Sequence, residues 1–284
     1  HLSYYKSINN IPVVDLFAGC GGLSYGFLRE GAKILAHLEL DKSCCETLRI
    51  NFEDQDNRIF QLDIRDTKSY LNNKKNSLLK LVKKEGNLDI ILGGPPCQAY
   101  SVAGRIRDPK GMRDDYRNYL FEAFIENLKI LKPKVFLFEN VVGMLSAKPQ
   151  GEPITDLIGS EFQKAGFSIL GNLKDCVINM ADFGIPQKRS RVFIFGVRND
   201  YFMNTEKTLR NFYDELNKLK VGRKTVKQAI SKFPVLMPLK TQQEGKRVSH
   251  FQAKGPRLPD HSPRFHNTRD IGIITPYNGQ VRIL

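Results

Sequence analysis

The feature that most restricts the fold is an alternation of short apolar runs with longer amphipathic stretches over the first two hundred residues. Residues 11–17 have the composition of a buried strand and stop at a glycine cluster, and residues 23–31 then have helical spacing. The same succession predicts strands at 33–40, 59–64, 88–92, 134–138 and 192–196, and helices at 42–52, 69–85, 119–131 and 154–165. This alternation is typical of crossover units, so we predict an α/β fold with a mostly parallel sheet and helices on both faces.

Charge divides the chain into two parts. The sequence has 44 Lys and Arg against 30 Asp and Glu, a net charge of +14. Residues 201–284 hold 16 of those cations and only 6 of the acids, and the strand-helix rhythm stops after about residue 205. We therefore expect a sheet domain over residues 1–205 and a smaller basic unit over 206–284. The basic excess favours a polyanion as partner, most simply nucleic acid.

The cysteines and the apolar runs indicate the compartment. Five cysteines without regular spacing, in a chain too long for a small disulfide scaffold, are typical of reduced thiols in a cytoplasm. The sequence has no run of about 18 apolar residues, so a membrane span is excluded. The first residues, HLSYYKS, have no apolar signal core.

A glycine turn, AGCGG at residues 18–22, follows the first predicted strand and precedes the first helix. Such a turn lets a ligand approach the backbone at a helix N-terminus, although a plain strand-to-helix connection can have the same sequence. Glu39 ends the second strand, where it can accept hydrogen bonds from ribose hydroxyls, and Asp63 ends the third, where it can accept from an adenine amino group. Either carboxylate alone could equally be a solvated loop charge. Because no Lys-Ser or Lys-Thr follows the glycines, we predict an adenosine-bearing ligand without a triphosphate.

Cys97 follows Gly-Gly-Pro-Pro at the carboxyl end of the fourth strand, the edge where open α/β sheets place their chemistry. Two prolines restrict the backbone just before the thiol, which is costly for a merely structural cysteine. Positive potential that favours a thiolate comes from the cations that follow it, Arg105, Arg107, Lys110 and Arg113. We predict that Cys97 is a nucleophile and that Cys20, Cys44, Cys45 and Cys176 are small buried residues.

Two further groups are candidates for the same edge. Glu139 ends the fifth strand, where it can share a pocket with the thiol and hold a proton if burial raises its pKa. The alternative is a helix N-cap region, which Asn140 alone would satisfy. Arg189 and Arg191 precede the last strand on the same side of an extended segment, where they can hold a carbonyl, phosphate or carboxylate or form an exposed strand start.

Together these motifs resemble those of the DNA cytosine C5-methyltransferase family of bacterial restriction–modification systems. The matching segments, in the family's order, are DLFAGCGG (15–22), GGPPCQAYSVAGR (93–105), RNYLF (117–121), FENV (138–141) and QKRSR (187–191), within residues 11–198. The resemblance implies a Rossmann-like methyltransferase sheet, S-adenosylmethionine as cofactor, no metal, and double-stranded DNA as partner in a bacterial cytoplasm with the nucleoid.

The resemblance also implies roles for individual residues. Cys97 would add to C6 of cytosine so that C5 accepts the methyl group, Glu139 would contact N3 and the exocyclic amine, and Arg191, supported by Arg189, would hold O2. The cofactor would lie against Phe17, Ala18, Gly19, Gly21, Gly22, Leu23, Glu39, Leu40, Asp63, Ile64 and Pro96. The base would be flipped out of the duplex, with Gln98, Ser101 and Arg105 contacting DNA on a loop, residues 99–116, that closes as a lid.

The chain begins at His1, and the family's closing glycine-asparagine motif is not found before Leu284. Residues 257–270 resemble the entry to the family's target-recognition region. We therefore expect that residues 206–284 form an incomplete recognition region and that the chain is a fragment or is completed by a second polypeptide. By itself it is expected to bind S-adenosylmethionine and to methylate DNA weakly or not at all.

Three other functions are compatible with parts of the sequence. A tRNA cytosine methyltransferase of the same family is disfavoured because that branch has Thr where this chain has Ser101. A catalytically silent DNA-binding homologue has no need for Cys97, Glu139 and Arg191 together. A Rossmann dehydrogenase would leave the thiol after two prolines without a role.

Overall fold

The computed structural model describes residues 10–52, 58–71, 77–96, 118–148, 153–233, 236–238 and 250–252. The strands are β1 (Pro12–Leu16), β2 (Lys33–Glu39), β3 (Ile59–Gln61), β4 (Ile90–Gly93), β5 (Val135–Val141), β6 (Phe167–Ser168), β7 (Val177–Asn179), β8 (Ser190–Arg198), β9 (Leu236–Pro238) and β10 (His250–Gln252). The α-helices are α1 (Gly22–Arg29), α2 (Lys42–Asn51), α3 (Thr67–Leu71), α4 (Leu78–Lys84), α5 (Asn118–Leu131), α6 (Ile154–Lys164), α7 (Thr205–Lys218) and α8 (Val226–Ile230). Short 3-10 helices occupy Val142–Ser146, Leu173–Cys176 and Met180–Phe183.

The main sheet has the strand order β3-β2-β1-β4-β5-β8-β6, with β7 also paired to β8. The pairs among β3, β2, β1, β4 and β5 are parallel, whereas β8 is antiparallel to β5, β6 and β7. This confirms the predicted α/β class with a Rossmann-like sheet. The chain order reverses at β1, which lies between β2 and β4, and open α/β sheets form their ligand crevice at the carboxyl ends of the strands at such a point.

A cluster of buried aromatic rings packs helices α5 and α6 against β5. Phe124 of α5, Phe136 and Phe138 of β5 and Phe162 of α6 are all fully buried. The rings of Phe136 and Phe162 are stacked with centroids 4.4 Å apart, and Phe124 meets Phe138 edge-on at 5.1 Å. A Cβ at Gly196 on β8 would lie 2.1 Å from the Phe136 ring, so glycine lets this ring pack against the neighbouring strand.

Helix α7, which follows the domain boundary predicted at residue 205, packs on β8; the boundary itself stays a prediction. The ring of Phe212 stacks on Phe195 at 4.0 Å. The Tyr213 hydroxyl donates to the carbonyl of Phe193 at 2.7 Å and accepts from the amide of Phe195 at 3.0 Å. The sequence did not predict this helix, because the segment is polar and basic and the strand-helix alternation stops near its first residue.

The predicted single helix over residues 69–85 is wrong. Ser77 has extended backbone angles, and its side chain accepts a hydrogen bond from the Lys80 amide, which makes it the N-cap of the separate helix α4. A helix therefore starts anew at Leu78. None of the helices within the described ranges is long and apolar enough to cross a membrane.

Candidate active site

A cavity of about 580 Å³ opens at the carboxyl ends of the parallel strands. Residues predicted to contact the cofactor or the base contribute Phe17, Gly19, Glu39, Leu40, Asp63, Ile64, Pro96 and Glu139 to its lining. The remaining lining residues are Leu38, Asp41, Lys42, Gln61, Leu62, Arg65, Gly94, Pro95, Leu120, Asn140 and Val141. The strand ends that the sequence selects therefore meet around one cavity.

The glycine turn between β1 and α1 is built from left-handed residues. Phe17, Gly19 and Gly21 have φ of 58°, 55° and 86°. A Cβ at Gly21 would lie 2.4 Å from the ring of Phe52, so only glycine allows the turn to approach α2 this closely. The exposed side of the turn, with Phe17 and Gly19, faces the cavity.

The other predicted turn residues lie behind the cavity wall. Ala18 is buried in a small cluster with Cys45 and Leu48, and Leu23 packs against a second cluster under the sheet. Gly21 and Gly22 begin helix α1, as N-cap and first residue. These residues shape the turn and do not line the cavity; their contact with a cofactor stays a prediction.

Glu39 ties the turn to the end of β2. One carboxylate oxygen accepts from the amide of Gly19 at 2.7 Å, and the other accepts from the amides of Leu40 and Asp41, each at 2.8 Å. Three backbone donors thus fix the carboxylate at the cavity wall. A carboxylate offers about four lone-pair sites, so this one retains capacity to accept from a ligand hydroxyl.

Asp63 forms an ion pair that the sequence reading missed. Arg65 donates from its backbone amide to Oδ1 at 3.0 Å and from Nε to Oδ1 at 2.9 Å, and its Nη2 contacts Oδ2. These hydrogen bonds hold the pKa of Asp63 below its ordinary value. Arg65 follows Asp63 by two residues, so the sequence Asp-Ile-Arg was the available signal. The carboxylate is kept ionised beside the cavity.

Four predicted residues, Cys97, Gln98, Ser101 and Arg105, lie outside the described residues. The backbone that leads to them is described as far as Pro96, which lines the cavity. A Cβ at Gly94 would lie 3.1 Å from Oε2 of Glu139. The segment before Cys97 therefore runs directly beside the carboxyl group at the end of β5.

Glu139 and Arg191 form a largely buried pair. Nε of Arg191 lies 3.0 Å from Oε1 of Glu139, with side chains 15% and 21% exposed. Burial raises the pKa of Glu139 above its ordinary value of 4.5, and the charges of Arg191 and Arg189 offset part of that rise. The Nε–H of Arg191 is not aligned on any acceptor in the part of the chain that the structure describes, while Nη1 donates to the carbonyl of Ser190 at 2.8 Å. The pair thus combines a carboxyl group whose pKa is raised by burial with a cationic N–H donor.

Asn140 does not act as the N-cap that the alternative interpretation of this strand end requires. Its side-chain oxygen accepts from the amide of Val141 at 2.7 Å, whereas the following 3-10 helix has Val141 as N-cap without a side-chain hydrogen bond. The strand end therefore belongs to the cavity wall rather than to a helix cap.

The sheet order and the glycine turn, with polar groups at successive strand ends around one cavity, define a Rossmann-like α/β domain with a ligand cavity at the carboxyl edge of its sheet. The family model for C-5 cytosine-specific DNA methylases matches residues 11–267. The chain belongs to that family.

Named relatives and a solved structure agree with this assignment. The chain is 32% identical to the Type II methyltransferase M.Bpa9945I of Bacillus paralicheniformis, over 95% of this chain and 67% of that protein. It is 39% identical to M.FnuDI of Fusobacterium nucleatum over 67% of this chain and 48% of that protein, and 35% identical to M.AquIA of a Picosynechococcus strain over 80% and 90%. The chain thus spans about half the length of some curated relatives and most of another. A crystal structure of a candidate DNA modification methyltransferase encoded within an E. coli prophage superposes with a TM-score of 0.59 and 28% identity, over 87% of this chain and 62% of that one.

Proposed function

We propose that this protein methylates C5 of cytosine in double-stranded DNA, with S-adenosylmethionine as methyl donor. The observation that carries the proposal is the cavity that joins the glycine turn and two strand-end carboxylates to Glu139, which forms a largely buried pair with Arg191 behind the cavity wall. One end of the cavity suits an adenosine, and the other suits a pyrimidine whose ring nitrogen must be protonated. Family membership supports this division of the cavity.

The cavity fits S-adenosylmethionine in the chemistry of its walls. Glu39 and Asp63 offer acceptor-only carboxylates for ribose hydroxyls and an adenine amino group, and Phe17, Leu40 and Ile64 offer apolar contacts for the base. Acidic residues outnumber cationic ones by four to two in this wall, a balance that disfavours a triphosphate and suits a ligand that bears a positive sulfonium. When bound, the cofactor supplies an electrophilic methyl group on that sulfonium.

The protein's own groups would make C5 of cytosine nucleophilic. In the proposed sequence the thiolate of Cys97 forms a bond to C6 while Glu139 donates a proton to N3, so the displaced electrons make C5 enamine-like. Arg191, supported by Arg189, donates to O2 and stabilises charge on the ring. After methylation, water accepts the proton from C5, the C5–H electrons form the C5–C6 double bond and the thiolate leaves C6. N3 then returns its proton to Glu139, which restores the neutral aromatic ring and the acid.

Access to the base requires that it leave the duplex. Flipping costs a few kcal/mol, and we propose that Gln98, Ser101 and Arg105 contact the DNA around the vacated position. The basic residues beyond 200 would bind phosphates, which give salt-dependent affinity without reading sequence. We further propose a cytoplasmic location with the nucleoid; completion by a second polypeptide stays a prediction that the comparisons do not support.

Covalent trapping tests this function directly. Random-sequence duplex DNA that contains 5-fluorocytosine, incubated with the protein and S-adenosylmethionine, should give a complex that survives denaturing electrophoresis, because fluorine cannot leave as a proton does. Cys97→Ser, which keeps the size of the side chain, should give none. A complex formed with 5-fluorocytosine-substituted tRNA and not with DNA would favour the tRNA alternative. Binding of DNA without any covalent product would favour the silent homologue.

A further inference from the structure

Three buried polar side chains lie together beneath the glycine turn. Asp15 on β1 and His37 on β2 are register partners on adjacent parallel strands, and Ser24 lies on α1 above them. Their exposed fractions are 1%, 0% and 0%. Buried polar groups are costly unless they are hydrogen-bonded, so a cluster of three directly under a ligand-binding turn requires an explanation.

Ser24 is the residue that links the hydrogen bonds of this cluster. The Ser24 hydroxyl donates to the carbonyl of Gly21 at 3.2 Å, and its oxygen lies 3.0 Å from Nε2 of His37. A Ser24 hydroxyl proton directed at Gly21 leaves the oxygen to accept from Nε2–H of His37, and the same hydroxyl also forms a hydrogen bond with the Asp15 carboxyl group. Nδ1 has no hydrogen-bond partner among the described residues, which agrees with an unprotonated nitrogen there.

The imidazole ring makes a second contact below the turn. It lies 4.4 Å from the ring of Phe52, between centroids. Phe52 is the side chain that a Cβ at Gly21 would meet at 2.4 Å. His37 therefore touches both groups that support Gly21, the Ser24 hydroxyl by a hydrogen bond and the Phe52 ring by packing.

We infer that His37 is a positioning residue for the cofactor turn, acting on Gly21 through Ser24 and Phe52. His37 precedes Glu39 by two residues on β2, so both side chains leave the same face of the strand. Glu39 holds the turn at Gly19, and His37 holds it at Gly21. The two ends of the turn are thus fixed by one strand. This inference rests on the proposed function, because it assigns His37 a role in binding an adenosine cofactor.

Two substitutions separate the hydrogen bond from the ring contact. His37→Phe keeps an aromatic ring beside Phe52 and removes the donor, whereas His37→Gln keeps an N–H near the position of Nε2 and removes the ring. With S-adenosylhomocysteine as probe in calorimetry, His37→Phe should raise Kd about fivefold, the effect of one lost hydrogen bond. His37→Gln should restore Kd to within about twofold of wild type, since a donor is again present.

Ser24→Ala provides an independent check that does not alter the histidine. It should raise Kd as much as His37→Phe, and the double variant should bind no worse than either, since both changes remove the same hydrogen-bonded chain. Tyr213→Phe is the matched control, because it deletes a buried hydroxyl with two backbone partners far from the turn. It should lower Tm and leave Kd unchanged.

The outcomes distinguish this inference from the function on which it rests. If the wild-type protein does not bind S-adenosylhomocysteine, the proposed function is overturned. If the wild type binds and His37→Phe and Ser24→Ala bind equally well, the positioning role is overturned. Equal weakening by His37→Phe and His37→Gln, or by Tyr213→Phe, would likewise refute it, since the loss would then reflect general destabilisation.

Discussion

Replacing Asp15 with Asn is expected to make the fold more acid-sensitive than the wild-type protein between pH 6.5 and 4. Burial raises the pKa of Asp15 from 3.8 to about 7, with a further contribution from Glu39, although hydrogen bonds from Ser24 oppose the rise. Burial also lowers the pKa of His37 from 6.5 to about 4, and the charge of Arg58 adds to that effect. The two shifts are nearly equal in size and opposite in sense.

The sign of the pH dependence follows from counting protons. Between pH 4 and 6.5 the folded protein holds a proton on Asp15 and none on His37, whereas the unfolded chain holds one on His37 and none on Asp15. Both states bind one proton, so this pair contributes no slope to the free energy of unfolding. Asp15→Asn leaves the unfolded state with the extra proton, so stability falls as pH falls from 6.5 to 4. His37→Gln leaves the folded state with it, so stability rises as pH falls from 7 toward 3.8.

Each substitution changes the difference in bound protons between the unfolded and the folded state by one. A difference of one bound proton changes the free energy of unfolding by about 1.4 kcal/mol per pH unit. Between pH 6.5 and pH 5, Asp15→Asn should therefore lose about 2 kcal/mol relative to wild type, and His37→Gln should gain about 2 kcal/mol. Groups elsewhere in the chain contribute equally to all the proteins, and the comparison removes them.

Urea unfolding at pH 5.0, 5.75 and 6.5 measures these differences. As pH falls, the free energies of unfolding of Asp15→Asn and His37→Gln should diverge from that of the wild type in opposite directions. The variant that carries both substitutions should show the same pH dependence as the wild type. Parallel curves for wild type and Asp15→Asn would refute the reasoning, since Asp15 would then be ionised in the folded protein at these pH values.

Three further predictions concern the cavity wall. Gly21→Ala should lower the free energy of unfolding by about 2 kcal/mol or more in urea titrations, because residue 21 has a positive φ and the new Cβ would lie 2.4 Å from Phe52. Gly22→Ala should leave stability nearly unchanged, because its Cβ would meet nothing within 4 Å. Equal effects of the two substitutions would refute the argument. Arg65→Ala should weaken S-adenosylhomocysteine binding several-fold in calorimetry, because the Asp63 carboxylate loses its fixed orientation. Arg65→Lys should recover only part of the lost affinity, since lysine cannot form the paired hydrogen bonds of a guanidinium group. Tighter binding by Arg65→Ala would mean that Arg65 competes with the ligand for Asp63. Arg191→Ala should raise the pKa of Glu139 further. The stability of this variant should therefore increase more steeply than that of wild type as pH falls toward 4.5, the ordinary pKa of this group, whereas Arg191→Lys should follow the wild type. An unchanged slope in urea unfolding would contradict the coupling.

The sequence predicted the parallel half of the sheet because each of its strands is an apolar run followed by a helix. β1, β2 and β4 were placed within two residues of their observed ends. β6 and β7, with two and three residues, are too short for a periodic pattern. Helix α7 was missed because its apolar positions are few, although they are spaced to pack on β8.

The site was predictable where a motif ends a strand, since parallel strand ends meet at one edge regardless of their distance in sequence. Glu39, Asp63 and Glu139 were found in this way. His37 was not, because its partners depend on the register of β1 with β2 and on the helix position of Ser24. A histidine within an apolar strand has no sequence pattern that separates a support for a turn from an ordinary core residue.

The direction of β8 explains why a mostly parallel sheet can place an arginine beside Glu139. Arg191 lies at the start of β8, and a parallel strand would carry its first residues to the amino edge of the sheet, away from the cavity. Because β8 is antiparallel, Arg191 pairs in register with Val141 at the carboxyl end of β5. Glu139 lies two residues from Val141 on the same face, so the pleat brings its carboxyl group within 3.0 Å of the guanidinium group. One reversed strand thus places a cation next to the buried acid, and its charge limits how far burial alone raises the pKa of that acid.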